Sequence, residues 1–137
     1  MNKIIFCAIL TVFLACNCGC SYHFDIIVDD LGSVQPTFKF SKPLFASPKG
    51  VKNRIELNSF RVVEKKGGTW DYKNPMWAFG LKPGAALVVD HIRHGAVPGG
   101  FTETTKAKPL LVGVSYLAIG FGLGSGGSQE FVLIEPK

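Results

Sequence analysis

The stretch "LLVGVSYLAIGFG", residues 110–122, decides the fold class of this chain. Gly113 and Tyr116 stand at the start of its most apolar run. A short apolar segment that is rich in β-branched and aromatic residues and bounded by glycine predicts a buried strand. We therefore expect residues 112–122 to form the central strand of a sheet.

The spacing of Leu110, Gly113 and Tyr116 resembles the tyrosine corner of immunoglobulin-like and fibronectin type III domains, whose usual form is L-x-P-G-x-x-Y. Val112 stands where those families have proline. The resemblance implies that the tyrosine hydroxyl bonds to backbone a few residues upstream and that the penultimate strand begins here.

The rest of the chain predicts short strands separated by turns, with no long helical periodicity. Lys66-Gly67-Gly68 is expected to form a hairpin turn, residues 101–107 an edge strand, and "GSGGS" (124–128) the last turn. The other predicted strands are 22–28, 36–41, 53–65, 69–73, 76–81, 86–95 and 129–135. The predicted fold is all-β: one immunoglobulin-like (fibronectin type III-like) antiparallel β-sandwich of about seven to eight strands over residues 23–137.

An antiparallel sheet usually buries one face, so alternate residues of each strand should form the core. Arg54, Glu56 and Lys65 belong to the alternating set that should face solvent. The predicted core is Ile55, Leu57, Phe60, Val62, Trp77, Phe79, Val88, Ile92, Val114, Tyr116, Ala118, Phe131 and Leu133.

The N-terminus is typical of an exported protein. Lys3 precedes "IIFCAILTVFLA" (4–15), a run without charges. As a helix it would be about 18 Å long, which is too short to span the roughly 30 Å core of a bilayer. A positively charged start, a short apolar run and a small residue predict a cleavable signal helix over residues 1–15.

The segment "VFLAC" (12–16) resembles the lipobox of bacterial lipoprotein precursors, with Ala15 in the usual position and Phe13 and Leu14 departing from the commonest residues. The resemblance implies a lipid on Cys16, a tether over residues 16–22, and a lipid-anchored, extracytoplasmic protein at the cell membrane. Because Asn17 is not aspartate, it also implies the outer membrane in a Gram-negative host. Two or more acyl chains would make the anchor firm.

Cys18 and Cys20 follow in the predicted tether, and no later cysteine exists. With His23 they form only part of a metal site, because a closed zinc site needs four ligands. A disulfide across one residue would be strained. We expect neither, and no cofactor other than the covalent lipid on Cys16; the two thiols remain open to reaction or modification.

No motif for catalysis or nucleotide binding is complete. "GFGLGSGG" (120–127) lacks the lysine and the following helix of a phosphate loop. Asp90, His91 and His94 are the one group with acid–base chemistry, but alternation along a strand directs the two histidines to opposite faces. Although the net charge is +5, no basic stripe is present, and an exported protein is not expected to bind nucleic acid.

The candidate binding surface consists of exposed aromatic and basic positions: Trp70, Tyr72, His91, Arg93 and His94. Such residues suit a protein, glycan or headgroup surface. We expect a non-catalytic envelope lipoprotein that binds or supports an envelope protein or glycan. The alternatives are an inhibitor or immunity protein against a toxin or a wall-degrading enzyme, an enzyme using Asp90, His91 and His94, and a purely structural component.

Overall fold

The computed structural model describes residues 22–42 and 54–137, in which every regular element is a strand. These ranges contain no helix, and hence none long and apolar enough to cross a bilayer. The predicted signal helix, Cys16, Cys18 and Cys20 lie outside the described residues. The strands are β1 (Tyr22–His23), β2 (Asp25–Asp29), β3 (Thr37–Ser41), β4 (Ile55–Leu57), β5 (Ser59–Lys66), β6 (Thr69–Trp70), β7 (Trp77–Gly80), β8 (Leu87–Val89), β9 (His91–Arg93), β10 (Thr102–Thr105), β11 (Ser115–Phe121) and β12 (Ser125–Val132).

The strands form one large sheet and two small ones. The large sheet has the order β1-β12-β11-β5-β7-β10, with β6 added to the end of β5. The small sheets are β2-β3-β9 and β4-β8. The inner faces of the sheets meet through aromatic rings. The ring centre of Phe38, in a small sheet, lies 5.1 Å from that of Phe60 and 5.5 Å from that of Phe131, both in the large sheet. The all-β, sandwich-like fold expected from the strand pattern is confirmed.

Strand β11 lies between β5 and β12, the interior position expected for the most apolar run. At its start, the Tyr116 hydroxyl accepts a hydrogen bond of 2.9 Å from the backbone N–H of Leu111. Leu110 is buried beside it. The contact that the Leu-Gly-Tyr spacing implied is therefore present.

The predicted core is largely confirmed, with one error and one half-buried position. Val88 is 60% exposed, whereas Val89 is buried, and Val114 is half-buried at the edge of the core. The predicted core residues that are buried are Ile55, Leu57, Phe60, Val62, Trp77, Phe79, Ile92, Tyr116, Ala118, Phe131 and Leu133. Phe24, Ile26, Phe38 and Phe40 of the first strands complete the core.

The error at Val88 arises because residues 86–95 do not form one strand. The chain breaks at Asp90, so that β8 pairs with β4 while β9 pairs with β3. Phe40 donates its backbone N–H to the carbonyl of Asp90 at this break. Alternation restarts there, and Val89 rather than Val88 faces the core. The predicted strand 53–65 divides in the same way at Asn58.

Only Gly124 of the glycine-rich segment 124–128, predicted as a turn, precedes the strand, whereas residues 125–128 are the beginning of β12. A Cβ atom at Gly127 would collide with the carbonyl oxygen of Phe24, so the close approach of this residue requires glycine.

The hairpin turn predicted at Lys66-Gly67-Gly68 is confirmed. Gly67 and Gly68 have φ angles of 59° and 81°, the left-handed values that a tight two-residue hairpin turn needs.

Candidate functional site

The five residues proposed from the sequence do not form one surface. Trp70 and Tyr72 follow the hairpin at the end of β5 in the large sheet. The Nζ atom of Lys65 lies 5.1 Å from the centre of the Trp70 ring, a cation–π contact on the outer side of that sheet. Tyr72 is 53% exposed. This pair remains an accessible aromatic site.

His91 and Arg93 are exposed on β9, in a small sheet. Their neighbour Ile92 points into the core, so they face away from the sandwich on the side opposite Trp70. The Nδ1 atom of His91 lies 2.9 Å from Oδ1 of Asp90. Partial desolvation acts to raise the pKa of Asp90, but the charge of His91 and backbone hydrogen bonds outweigh it and hold that pKa below its usual value.

The expectation that His94 is exposed is wrong. Its side chain is only 4% exposed and packs edge-on against Trp77, with ring centres 5.2 Å apart. Nε2 lies 3.0 Å from the carbonyl of Lys108, whereas Nδ1 has no hydrogen-bond partner within the described part of the chain. Burial lowers the pKa of His94, and the carbonyl of Lys108 opposes this only in part.

Asp90, His91 and His94 consequently do not converge. Asp90 and His91 meet at the surface, while His94 is directed into the core. Across residues 22–42 and 54–137, no group of three or more His, Cys, Asp or Glu side chains has an arrangement that suits a metal ion. The acid–base and metal hypotheses thus gain no geometric support from these residues.

The sequence did not indicate a groove of about 600 Å³ on the outer face of the large sheet. The floor is β7, whose outward residues Ala78 and Gly80 are small. Arg61 of β5 lines one side, and Thr102 and Thr104 of β10 line the other. The alternation of side chains along β7 explains the depth of the groove, because the large residues Trp77 and Phe79 point into the core.

Two irregularities shape the groove walls. The β7–β10 register shifts between Glu103 and Thr105, which leaves Thr104 as the extra residue of a bulge. At one end, Asn58 fastens the turn after β7 by donating its Nδ2 hydrogens to the carbonyls of Lys82 at 3.1 Å and Ala85 at 2.7 Å. The end wall is therefore held by a residue distant in sequence.

The groove is basic. Arg61 and Lys82 line it, and its lining contains hydroxyl groups but no carboxylate. Within the described ranges, which hold every acidic residue of the chain, neither cation has an ion-pair partner. The nearby Glu103 is engaged elsewhere, because its carboxylate accepts a 3.0 Å hydrogen bond from Nε1 of Trp77. An anionic ligand would therefore meet no carboxylate in the lining of the groove itself.

Apolar residues adjoin the groove on the same face. The guanidinium carbon of Arg61 lies 6.0 Å from the centre of the Phe121 ring, which is 44% exposed. Leu117 of β11, which is half-buried, lies on the same face as Phe121, with the buried Ile119 between them. The arrangement suits a partner that combines acidic groups with apolar contact.

Comparisons of this chain with protein-family models, with curated proteins and with solved structures found no match.

Proposed function

We propose that the protein is a cell-envelope lipoprotein, held to the membrane by a lipid on Cys16, whose non-catalytic domain binds an envelope component on the outer face of its large sheet. The domain is of the immunoglobulin or fibronectin type III kind. It acts outside the cytoplasm, at the outer membrane if the host is Gram-negative.

The strand order supports this domain type. In immunoglobulin-like domains one sheet carries the first, second and fifth strands, while the third strand pairs with the last two in the other. The orders β2-β3-β9 and β12-β11-β5 correspond to these two sheets. The hydrogen bond from Leu111 to Tyr116 occupies the position of the tyrosine corner.

The proposed anchor rests on the sequence "VFLAC" and agrees with where the domain begins. Tyr22 is already part of a strand, only six residues after Cys16. Such a segment spans at most about 20 Å when fully extended. The domain would therefore be held close to the membrane, where an envelope partner is within reach.

The groove of the large sheet is the single observation that carries the binding role. It offers Arg61 and Lys82 without acidic partners, hydroxyl groups on both walls, and exposed aromatic surface at Phe121. A partner with an extended acidic segment would pair with the cations and cover the apolar face. The ligand class is therefore an anionic protein segment or glycan of the envelope.

In-cell photo-crosslinking tests this proposal. A photo-reactive amino acid at Thr104 in the groove should give a discrete adduct in the envelope fraction, whereas one at Val88 on the other layer should not. Arg61→Glu should abolish the adduct, while Arg93→Glu, the same charge change on the opposite face, should preserve it. No adduct at Thr104, or equal loss with both arginine variants, would refute the binding role. A toxin or wall-degrading enzyme in the adduct would favour the inhibitor alternative.

A further inference from the structure

The chain enters the sandwich at one particular end. The backbone N–H of Tyr22 donates to the carbonyl of Gly124 at 2.9 Å, and Tyr22 pairs with Ser125 in the parallel β1–β12 ladder. Tyr22, the first described residue, therefore lies beside the turn between β11 and β12. We call the end of the domain marked by Tyr22, Phe121 and Leu123 the entry end.

The entry end exposes apolar side chains. Tyr22 is 63% exposed, Leu123 52% and Phe121 44%. The opposite end also has exposed apolar residues, among them Leu111 at 62%. Apolar exposure alone therefore does not distinguish the two ends, and the position of the chain entry must decide which one meets a membrane.

The length of the segment between Cys16 and Tyr22 decides which end of an anchored domain faces the membrane. Strand β11 has seven residues, so its ends, near Leu111 and at Phe121, are about 20 Å apart. The six-residue segment from Cys16 to Tyr22 would reach that far only when fully extended. An anchored domain is thus held with its entry end, and not its Leu111 end, against the bilayer.

Basic residues near the entry end complement anionic headgroups. Arg61 lies over the Phe121 ring, and Lys82 occupies the turn after β7, whose last residue pairs with the first residue of β5. Lys42 follows β3 at the edge where Ser41 pairs with Asp25. Aromatic rings and leucine beside basic groups are the side chains that settle at a membrane–water interface.

We propose that the entry end is a membrane-docking surface, with Tyr22, Phe121 and Leu123 in the headgroup layer of an anionic phospholipid membrane. This rests on the proposed lipid anchor and adds a fixed orientation to it. The groove then opens beside the membrane surface, with its basic side toward the headgroups.

Depth-dependent quenching in proteoliposomes tests the orientation. The lipidated protein, with Cys18→Ser and Cys20→Ser, carries a fluorescent label on either Leu123→Cys or Leu111→Cys. These two exposed leucines at opposite ends are matched controls. The vesicles contain phosphatidylethanolamine and phosphatidylglycerol, with a fraction of lipid bearing a nitroxide quencher near the headgroup.

The label on Leu123→Cys should be strongly quenched and that on Leu111→Cys should not. Adding Lys82→Glu, or replacing the phosphatidylglycerol with phosphatidylcholine, should reduce the difference. Equal quenching at both sites, or none at either, overturns the docking surface. Flotation of the same vesicles separates the two proposals: protein that floats without quenching at Leu123→Cys keeps the anchor and loses the docking surface, whereas protein that does not float loses the anchor.

Discussion

The hydroxyl oxygen of Tyr116 and the backbone N–H of Leu111 are joined by a 2.9 Å hydrogen bond that ties the start of the central strand to the segment leading into it. The tyrosine ring is buried and lies 5.6 Å from the ring of Phe131. One side chain thereby fixes both a backbone crossover and part of the inter-strand packing.

Removing that hydroxyl should destabilise the domain without altering its shape. Tyr116→Phe leaves the ring in place and deprives the Leu111 N–H of its partner, so the free energy of unfolding should fall by about 0.5–1.5 kcal/mol. Chemical denaturation measures this. Tyr72→Phe, at an exposed tyrosine, should have no measurable effect, and equal changes in the two variants would contradict the assigned contact.

Asn58 should be needed for the turn that closes the groove. Asn58→Asp replaces two donated hydrogens by an oxygen that faces the carbonyls of Lys82 and Ala85. The loss should be about 1–3 kcal/mol of unfolding free energy, since unsatisfied acceptors remain. Thermal unfolding above pH 7, where the new carboxylate is charged, is the measurement. A change within about 0.5 kcal/mol, as for an ordinary surface substitution, would show that the turn after β7 does not depend on the Asn58 side chain.

Stability should fall as the solution is acidified through the histidine range. Burial lowers the pKa of His94 below its ordinary value of 6.5, so the folded state favours the neutral ring. The stabilisation is complete above about pH 6.5 and is lost progressively as the pH falls toward the lowered pKa, because the unfolded chain takes up the proton first. Melting temperatures between about pH 7.5 and about pH 5 should show this slope.

His94→Gln removes the titrating group and should flatten the slope, even though it lowers stability throughout by loss of packing on Trp77. Val88→Ala, at an exposed position without a titratable group, is the control and should leave the slope as in the wild type. A slope unchanged by His94→Gln would contradict the assignment.

Gly127 should tolerate no side chain. Gly127→Ala places a Cβ against the carbonyl of Phe24, so β1 or β12 must shift, at a cost of about 1–3 kcal/mol. Gly99→Ala is the matched control, because the space around Gly99 is open and its φ is not left-handed. Similar unfolding midpoints for the two variants would show that the close approach of Phe24 is not required.

Local signals in the sequence predicted much of the fold. The tyrosine spacing, the Gly67-Gly68 hairpin, and the paired core positions Trp77 and Phe79 each depend on neighbouring residues, and each is found as expected. The polar strand β10 is at the edge of its sheet for the same reason.

Features that depend on distant strands escaped prediction. Periodicity could not reveal that the chain changes partner strands at Asp90, which reverses Val88 and Val89. The burial of His94, in contrast, continues the alternation that buries Ile92 two residues earlier. The groove needs a bulge at Thr104 and a side chain from Asn58, neither of which leaves a local pattern. The one local sign of the groove was that the small residues Ala78 and Gly80 alternate with the large residues Trp77 and Phe79 along β7.

Intact-mass analysis with membrane fractionation, applied to the wild type, Cys16→Ser and Cys18→Ser, is the decisive test of the lipid anchor. The wild type and Cys18→Ser should be cleaved before residue 16, gain acyl mass and sediment with membranes, whereas Cys16→Ser should do none of these. A wild-type protein that is soluble and carries no acyl chain would contradict the lipid anchor and, with it, the membrane-docked orientation.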